Sequence, residues 1–264
     1  MLSMITMPPP RQGPAAALPR LFAAALMGST LLGASFGLAV ASPAEAADVA
    51  VAPADFRGVW MRPGRDLTEP RLVVPAMPAA PLRAPHKQAY EALRKKMAAA
   101  EERGDPIDFD RANCIPDGMP RLMGSTLPIE ILQEPDKLAI IVEFGTQVRH
   151  VYLNGAKHPP EDELEYNFFG NSIGWWEGST LVVETVGIQK STPLFDYVPH
   201  SDNLKIVERY RLSDPDLLEL TMEMVDPEFL TEPWVVTRKY LKRPDLKIRE
   251  FVCQENNRSA KSDN

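Results

Sequence analysis

The chain has very little cysteine, and past residue 46 it has no uncharged run long enough to cross a bilayer. It has no cluster of basic residues, no glycine-rich phosphate loop, no dinucleotide fingerprint and no Cys-x-x-Cys. Each absence removes a class of function. A formal net charge of −7 without a basic patch repels phosphate backbones, so nucleic acid is not expected as a partner. Without the phosphate-binding motifs no nucleotide cofactor is expected, and nothing else in the chain implies a cofactor. His150, His158 and His200 with a carboxylate would supply zinc-type ligands. No two of them stand at a local ligand spacing, so no metal site is expected.

What is present begins with an export signal. Arg11 and Arg20 precede an uncharged, Ala-, Leu- and Gly-rich run from Leu21 to Ala44. Ser42-Pro43-Ala44-Glu45-Ala46-Ala47 places small residues where signal peptidase needs them, so cleavage is expected after Ala46. The alternative is a retained anchor, the only contact with a membrane that the sequence suggests. The remainder is then periplasmic or secreted. In such an oxidising compartment Cys114 and Cys253 are expected to pair, with two buried free thiols as the alternative.

The domain plan is a signal peptide over 1–46 and an N-terminal strand, Pro-rich connector and helix over 47–110. A β-barrel core over 111–254 and a disordered tail over 255–264 complete it. The strong helix spans 86–103, with Pro85 in its first turn and Gly104 as its stop. Its stripe of Ala89, Leu93, Met97 and Ala100 predicts a helix lying on the surface of the barrel. From Leu127 onward strands and turns alternate. Asn154-Gly155 is the strongest hairpin turn, and 173–176, 177–179 and 180–186 read as another hairpin. Three strands alternate cleanly, with Leu204, Ile206, Glu208 and Tyr210 on one face. Leu218, Leu220, Met222 and Met224, then Trp234, Val236, Arg238 and Tyr240, share the next two. Lys247 to Cys253 reads as the last strand. A meander of this length removes its edges by closing, so the fold expected is all-β. It is an antiparallel up-and-down barrel of the calycin/lipocalin-like kind with one external N-terminal helix. A two-sheet β-sandwich is the alternative.

Two resemblances are carried by motifs. Phe56-Arg57-Gly58-Val59-Trp60 resembles the Gly-x-Trp that opens the first strand of lipocalin-like barrels. That resemblance implies an indole at the barrel floor under an arginine of the last strand, here Arg249. Most of the mature chain resembles an exported bacterial family of unsettled activity. The motifs are Arg149-His150-Val151-Tyr152-Leu153-Asn154-Gly155 and the run from Asn171-Ser172-Ile173-Gly174-Trp175-Trp176-Glu177-Gly178 to Thr180-Leu181-Val182-Val183-Glu184-Thr185. That family implies export and no mechanism.

The alternation forces Glu208 and Arg238 inward, where a lone charge would cost several kcal/mol. They are expected to pair with each other or to meet a ligand. Tyr210 and Tyr240 share their faces, Tyr152 and His150 share a face of ambiguous direction, and Met222, Met224 and Trp234 line the walls. Such a mostly apolar cavity with a polar floor suits a small, largely apolar molecule. The alternative is a structural ion pair with ordinary core tyrosines. Asn171, His158 and His200 sit in loops. If these meet at one mouth, His150, His158 or His200 could move a proton with Glu208 in support, as in a cofactor-free lyase, isomerase or hydratase. Gly170-Asn171-Ser172-Ile173-Gly174 matches Gly-x-Ser-x-Gly, but no helix is expected after it, so a nucleophile elbow is not.

Overall fold

The computed structural model describes residues 52–62, 71, 73, 75–104 and 114–256. The signal peptide expected over 1–46, with the cleavage expected after Ala46, part of the Pro-rich connector and the last residues of the tail lie outside the described residues. Nine strands form one closed barrel. They are β1 Gly58–Met61, β2 Ile129–Gln133, β3 Lys137–Val142, β4 Gln147–Tyr152 and β5 Asn171–Glu177. β6 Thr180–Val186, β7 Lys205–Asp214, β8 Leu217–Val225 and β9 Trp234–Lys242 complete it. Neighbours in sequence are neighbours in the sheet, and β9 returns to β1 through Trp60↔Lys242 and Met61↔Leu241. The fold is therefore the all-β barrel and not the sandwich. Its core begins at β1, ahead of the 111–254 span that the sequence suggests.

Closure with nine strands has a consequence for direction. Strands cannot alternate all the way round an odd ring, so a parallel seam must appear. It lies between β4 and β5, at Tyr152↔Ile173; the other seams are antiparallel. This overturns the hairpin expected at Asn154-Gly155. The turn itself forms, with φ of 57° and 76° and a bond of 3.2 Å from Ala156 N–H to Leu153 O. The chain then runs irregularly to residue 170 and starts β5 in the direction of β4. The second expected hairpin stands, with Gly178 at φ 61° between β5 and β6.

Period-2 alternation places the core. Ile206, Glu208 and Tyr210 on β7 point inward, as do Leu218, Leu220, Met222 and Met224 on β8 and Val236, Arg238 and Tyr240 on β9. The short turns β2–β3, β5–β6 and β7–β8 share one end of the barrel. At the other end leave the long connections 62–128 and 187–204, and the 226–233 loop. The first of these turns back into the barrel: Met119, Leu122 and Met123 are fully buried, and the Tyr240 hydroxyl donates to Met123 O at 2.6 Å. Gly118 docks this plug. At φ 64° it brings Met119 N–H within 2.8 Å of Phe168 O.

Two other expectations change. Helix α1 runs Ala84–Glu102, but it buries no residue, and Leu93 is exposed. The apolar stripe does not lie on the barrel. Contact is made by the first turns, where His86 stacks on Phe229 at 3.7 Å and Tyr90 O–H donates to Asp196 O at 3.1 Å. The segment before the helix is tied to the β8–β9 loop by Arg83 N–H to Phe229 O and Thr231 N–H to Pro81 O, each 2.8 Å. The final strand over 247–253 is absent, because β9 and β1 already close the ring and no edge remains to receive it. Residues 243–252 carry no strand, and a short helix α2 spans Cys253–Asn256. Arg249 is therefore not the residue over the indole. Trp60 Nε1 donates to Phe56 O at 2.7 Å, and Lys242 of β9 places its ammonium 5.2 Å from the ring.

Cys114 and Cys253 form a disulfide that ties the plug segment to the chain after β9. The same C-terminal stretch crosses the β3–β4 turn, with Phe251 against Phe144 and Thr146 Oγ1 donating to Phe251 O. Among the described residues no helix is long and apolar enough to cross a membrane.

Candidate functional site

The inward charge on β7 is answered from an unexpected strand. β4 points Gln147, Arg149 and Val151 inward, and Val148, His150 and Tyr152 outward. Arg149 Nη1 and Nη2 donate to Glu208 Oε1 and Oε2 at 2.9 and 2.5 Å, a bidentate pair with both side chains fully buried. The remaining guanidinium protons reach Ser172 Oγ at 3.0 Å, Thr185 Oγ1 at 2.8 Å and Tyr210 O–H at 3.3 Å. Tyr210 in turn donates to Glu208 Oε1 at 2.8 Å. Burial by itself would lower the Arg149 pKa; the Glu208 carboxylate outweighs it, with Tyr210 adding, and the net shift is upward. Burial, followed by the same carboxylate, pushes Tyr210 well above the ordinary phenol range. This network satisfies itself with protein groups. It is the cross-brace of the barrel, and it offers nothing to a ligand.

Most sequence-predicted site residues do not come together. His150 and Tyr152 face outward, because Arg149 and Val151 take the inner positions of β4. His158 lies on the outer wall: Nδ1 is 2.7 Å from Asn171 Oδ1, and Nε2 is 3.4 Å from Glu184 Oε1 without forming a hydrogen bond. Glu184 also meets Lys205 at 3.2 Å, so this group straps the irregular 156–170 segment to β5–β7. His200 is buried in the β6–β7 connection, with both ring nitrogens 2.7 Å from the carbonyl oxygens of Ser201 and Thr192. Neither nitrogen is left for a substrate. Glu208 and Tyr210 belong to the cross-brace, Met222 and Met224 are packed core, and Tyr240 is committed to the plug. Ser172 lies on a strand followed by another strand and hydrogen-bonds Arg149, so the Gly-x-Ser-x-Gly run is no elbow.

Arg238 is the exception. It is 9% exposed and points inward at the end of the barrel where the long connections leave. Its Nη1 donates to the neighbouring Thr237 O at 3.0 Å, Nη2 rests 3.6 Å from Met77 Sδ, and Nε has no partner. Among the described residues no carboxylate comes within salt-bridge distance of it. Its guanidinium lies 4.7 Å over the Phe195 ring. Burial, then the positive charge of Arg62, push its pKa below the ordinary guanidinium value.

Arg238 lines a cleft of about 240 Å³ with Arg62, Arg121, Met77, Phe195 and Asp196–Tyr197. Arg62 leaves β1 toward Gly124 O, to which it donates. Arg121 sits on a short 3-10 turn, pairs with Asp117 at 3.2 Å and covers the Tyr197 ring at 4.8 Å. Among the described residues, three guanidiniums thus share one small concavity, with Asp196 on its lining and Asp117 already paired with Arg121. Such a place suits a bound oxyanion, which can take bidentate bonds from a planar fork such as that of Arg238. The sequence singles out Arg238 but not Arg62, Arg121, Phe195 or Tyr197, which lie in irregular connections or at strand exits with no periodic signal. No protein-family model matches the chain, and no curated protein matches it.

Proposed function

We propose that this protein is an exported, non-catalytic binder of a small molecule bearing a carboxylate or another oxyanion. The ligand docks at the barrel end where the long connections leave. The observation that carries the reading is Arg238: nine-tenths buried, positively charged and unmatched by any carboxylate among the described residues. An unpaired charge at that burial costs several kcal/mol, so a ligand that neutralises it gains affinity from a cost already present in the free protein. Arg62 and Arg121 add positive charge to the cleft, Arg121 while paired with Asp117, and Phe195 supplies an apolar platform.

Export is supported by the uncharged run over 21–44, its small-residue exit at Ala44 and Ala46, and a disulfide suited to an oxidising compartment. The acid–base reading has less behind it, because no histidine lines the cleft. A thermal-shift titration separates charge from shape: benzoate should raise the melting temperature in a dose-dependent way, benzamide should not, and Arg238→Gln should remove the response. Equal responses to the acid and its amide would reject the reading.

A further inference from the structure

A second cleft, of about 250 Å³, lies beside the first. It is lined by Pro78, Ala79, Ala80, Leu82, Val198 and Trp234, with Lys87, Tyr90 and Glu91 of α1 at its edge. The two share Asp196, and consecutive residues divide between them: Met77 lines the first and Pro78 the second. The Phe195 ring sits under Arg238 at 4.7 Å and meets the Trp234 ring edge-on at 6.3 Å. Above it, Asp196 and Tyr197 both hold left-handed backbone, at φ 53° and 64°, a conformation that costs non-glycine residues of the order of 1 kcal/mol each. That turn aims the Asp196 carbonyl at Tyr90 O–H, 3.1 Å away, and so fixes the ridge between the clefts. Trp234 is held from the other side by its Nε1 bond of 3.0 Å to Pro78 O. A charged concavity and an apolar groove thus meet over one aromatic ring.

We infer that the ligand is a medium-chain carboxylate amphiphile, its head on Arg238, Arg62 and Arg121 and its hydrocarbon tail across Phe195 into the Trp234 groove. This rests on the oxyanion reading given above and adds the tail. A cavity of about 150 Å³ takes a benzene ring, so the groove has room for a chain of roughly six to ten carbons. Each methylene buried there tightens binding about three- to fourfold. No bond forms or breaks.

The test is calorimetric titration of the purified full chain with acetate, butanoate, hexanoate, octanoate and 1-octanol. The expected result is a three- to fourfold gain per methylene from butanoate to octanoate, with octanol at least tenfold weaker than octanoate. Ala79→Asp adds a charge at an exposed groove position outside the core and should flatten the chain-length dependence. Carboxylates that bind equally whatever their length would overturn the tail and leave the oxyanion reading standing. Octanol binding as tightly as octanoate, or no probe binding at all, would overturn both.

Discussion

Arg149 reaches Glu208 from β4 with two N–H···O bonds, and that pairing leaves Arg238 without a salt-bridged carboxylate among the described residues. One inward carboxylate and two inward arginines project from three strands, and the geometry gives the carboxylate to the arginine that is more deeply enclosed. What remains is a positive charge at the barrel end. The cross-brace explains the interior; the unmatched arginine points to a use for the cleft.

Removing one partner of the cross-brace strands the other. Arg149→Met leaves Glu208 buried and uncompensated, and is expected to cost about 3–5 kcal/mol in urea unfolding. Arg149→Met combined with Glu208→Leu should recover a large part of that loss, since an apolar replacement strands no charge. A single substitution costing under about 1 kcal/mol would show that the pair is not desolvated as described.

The plug depends on one glycine. A Cβ at Gly118 would stand 2.4 Å from Thr192 Cγ2 and 2.6 Å from Phe168 O, at φ 64°. Gly118→Ala is expected to destabilise by about 1–3 kcal/mol, by strain and by displacing the Met119–Phe168 bond. An unchanged denaturation midpoint would contradict this.

The barrel, its closure and the inward faces of β7, β8 and β9 were legible because period-2 alternation reports a half-buried strand directly. Strand β4 was not, because Val148 and Val151 put branched apolar residues on both faces and mask the inward step of Arg149. The missing last strand shows another limit: ladder formation needs a free edge, which a local pattern does not report. The cleft was legible only through Arg238. Its other residues converge from two connections, 62–128 and 187–204, and no local rule brings them together.

Reduction of the disulfide should weaken the fold. Cys114 and Cys253 close a loop of 139 residues, so Cys253→Ser is expected to lower stability by about 2–5 kcal/mol. Chemical denaturation with and without a reductant checks it, and identical midpoints would contradict it. Alkylation before reduction should label neither cysteine.

High pH should destabilise the barrel through its buried phenols. Burial pushes Tyr210 and Tyr240 above the ordinary tyrosine value, so the folded state holds their protons while the unfolded state releases them near pH 10. The unfolded state then binds fewer protons, and stability falls as pH rises. It is fully present below about pH 10 and declines above it. Ultraviolet titration should show these two phenols ionising only as the barrel unfolds; early ionisation in the native state would contradict the burial.

The most direct measurement is the Nε–H resonance of Arg238 in arginine-labelled protein, followed by NMR as octanoate is added. A progressive, saturable shift at Arg238, with Arg149 unmoved inside its cross-brace, is what an unmatched cation in an oxyanion cleft predicts. If Arg238 does not respond, or if it already reports a carboxylate partner in the free protein, the cleft is not a ligand site and the proposed function fails.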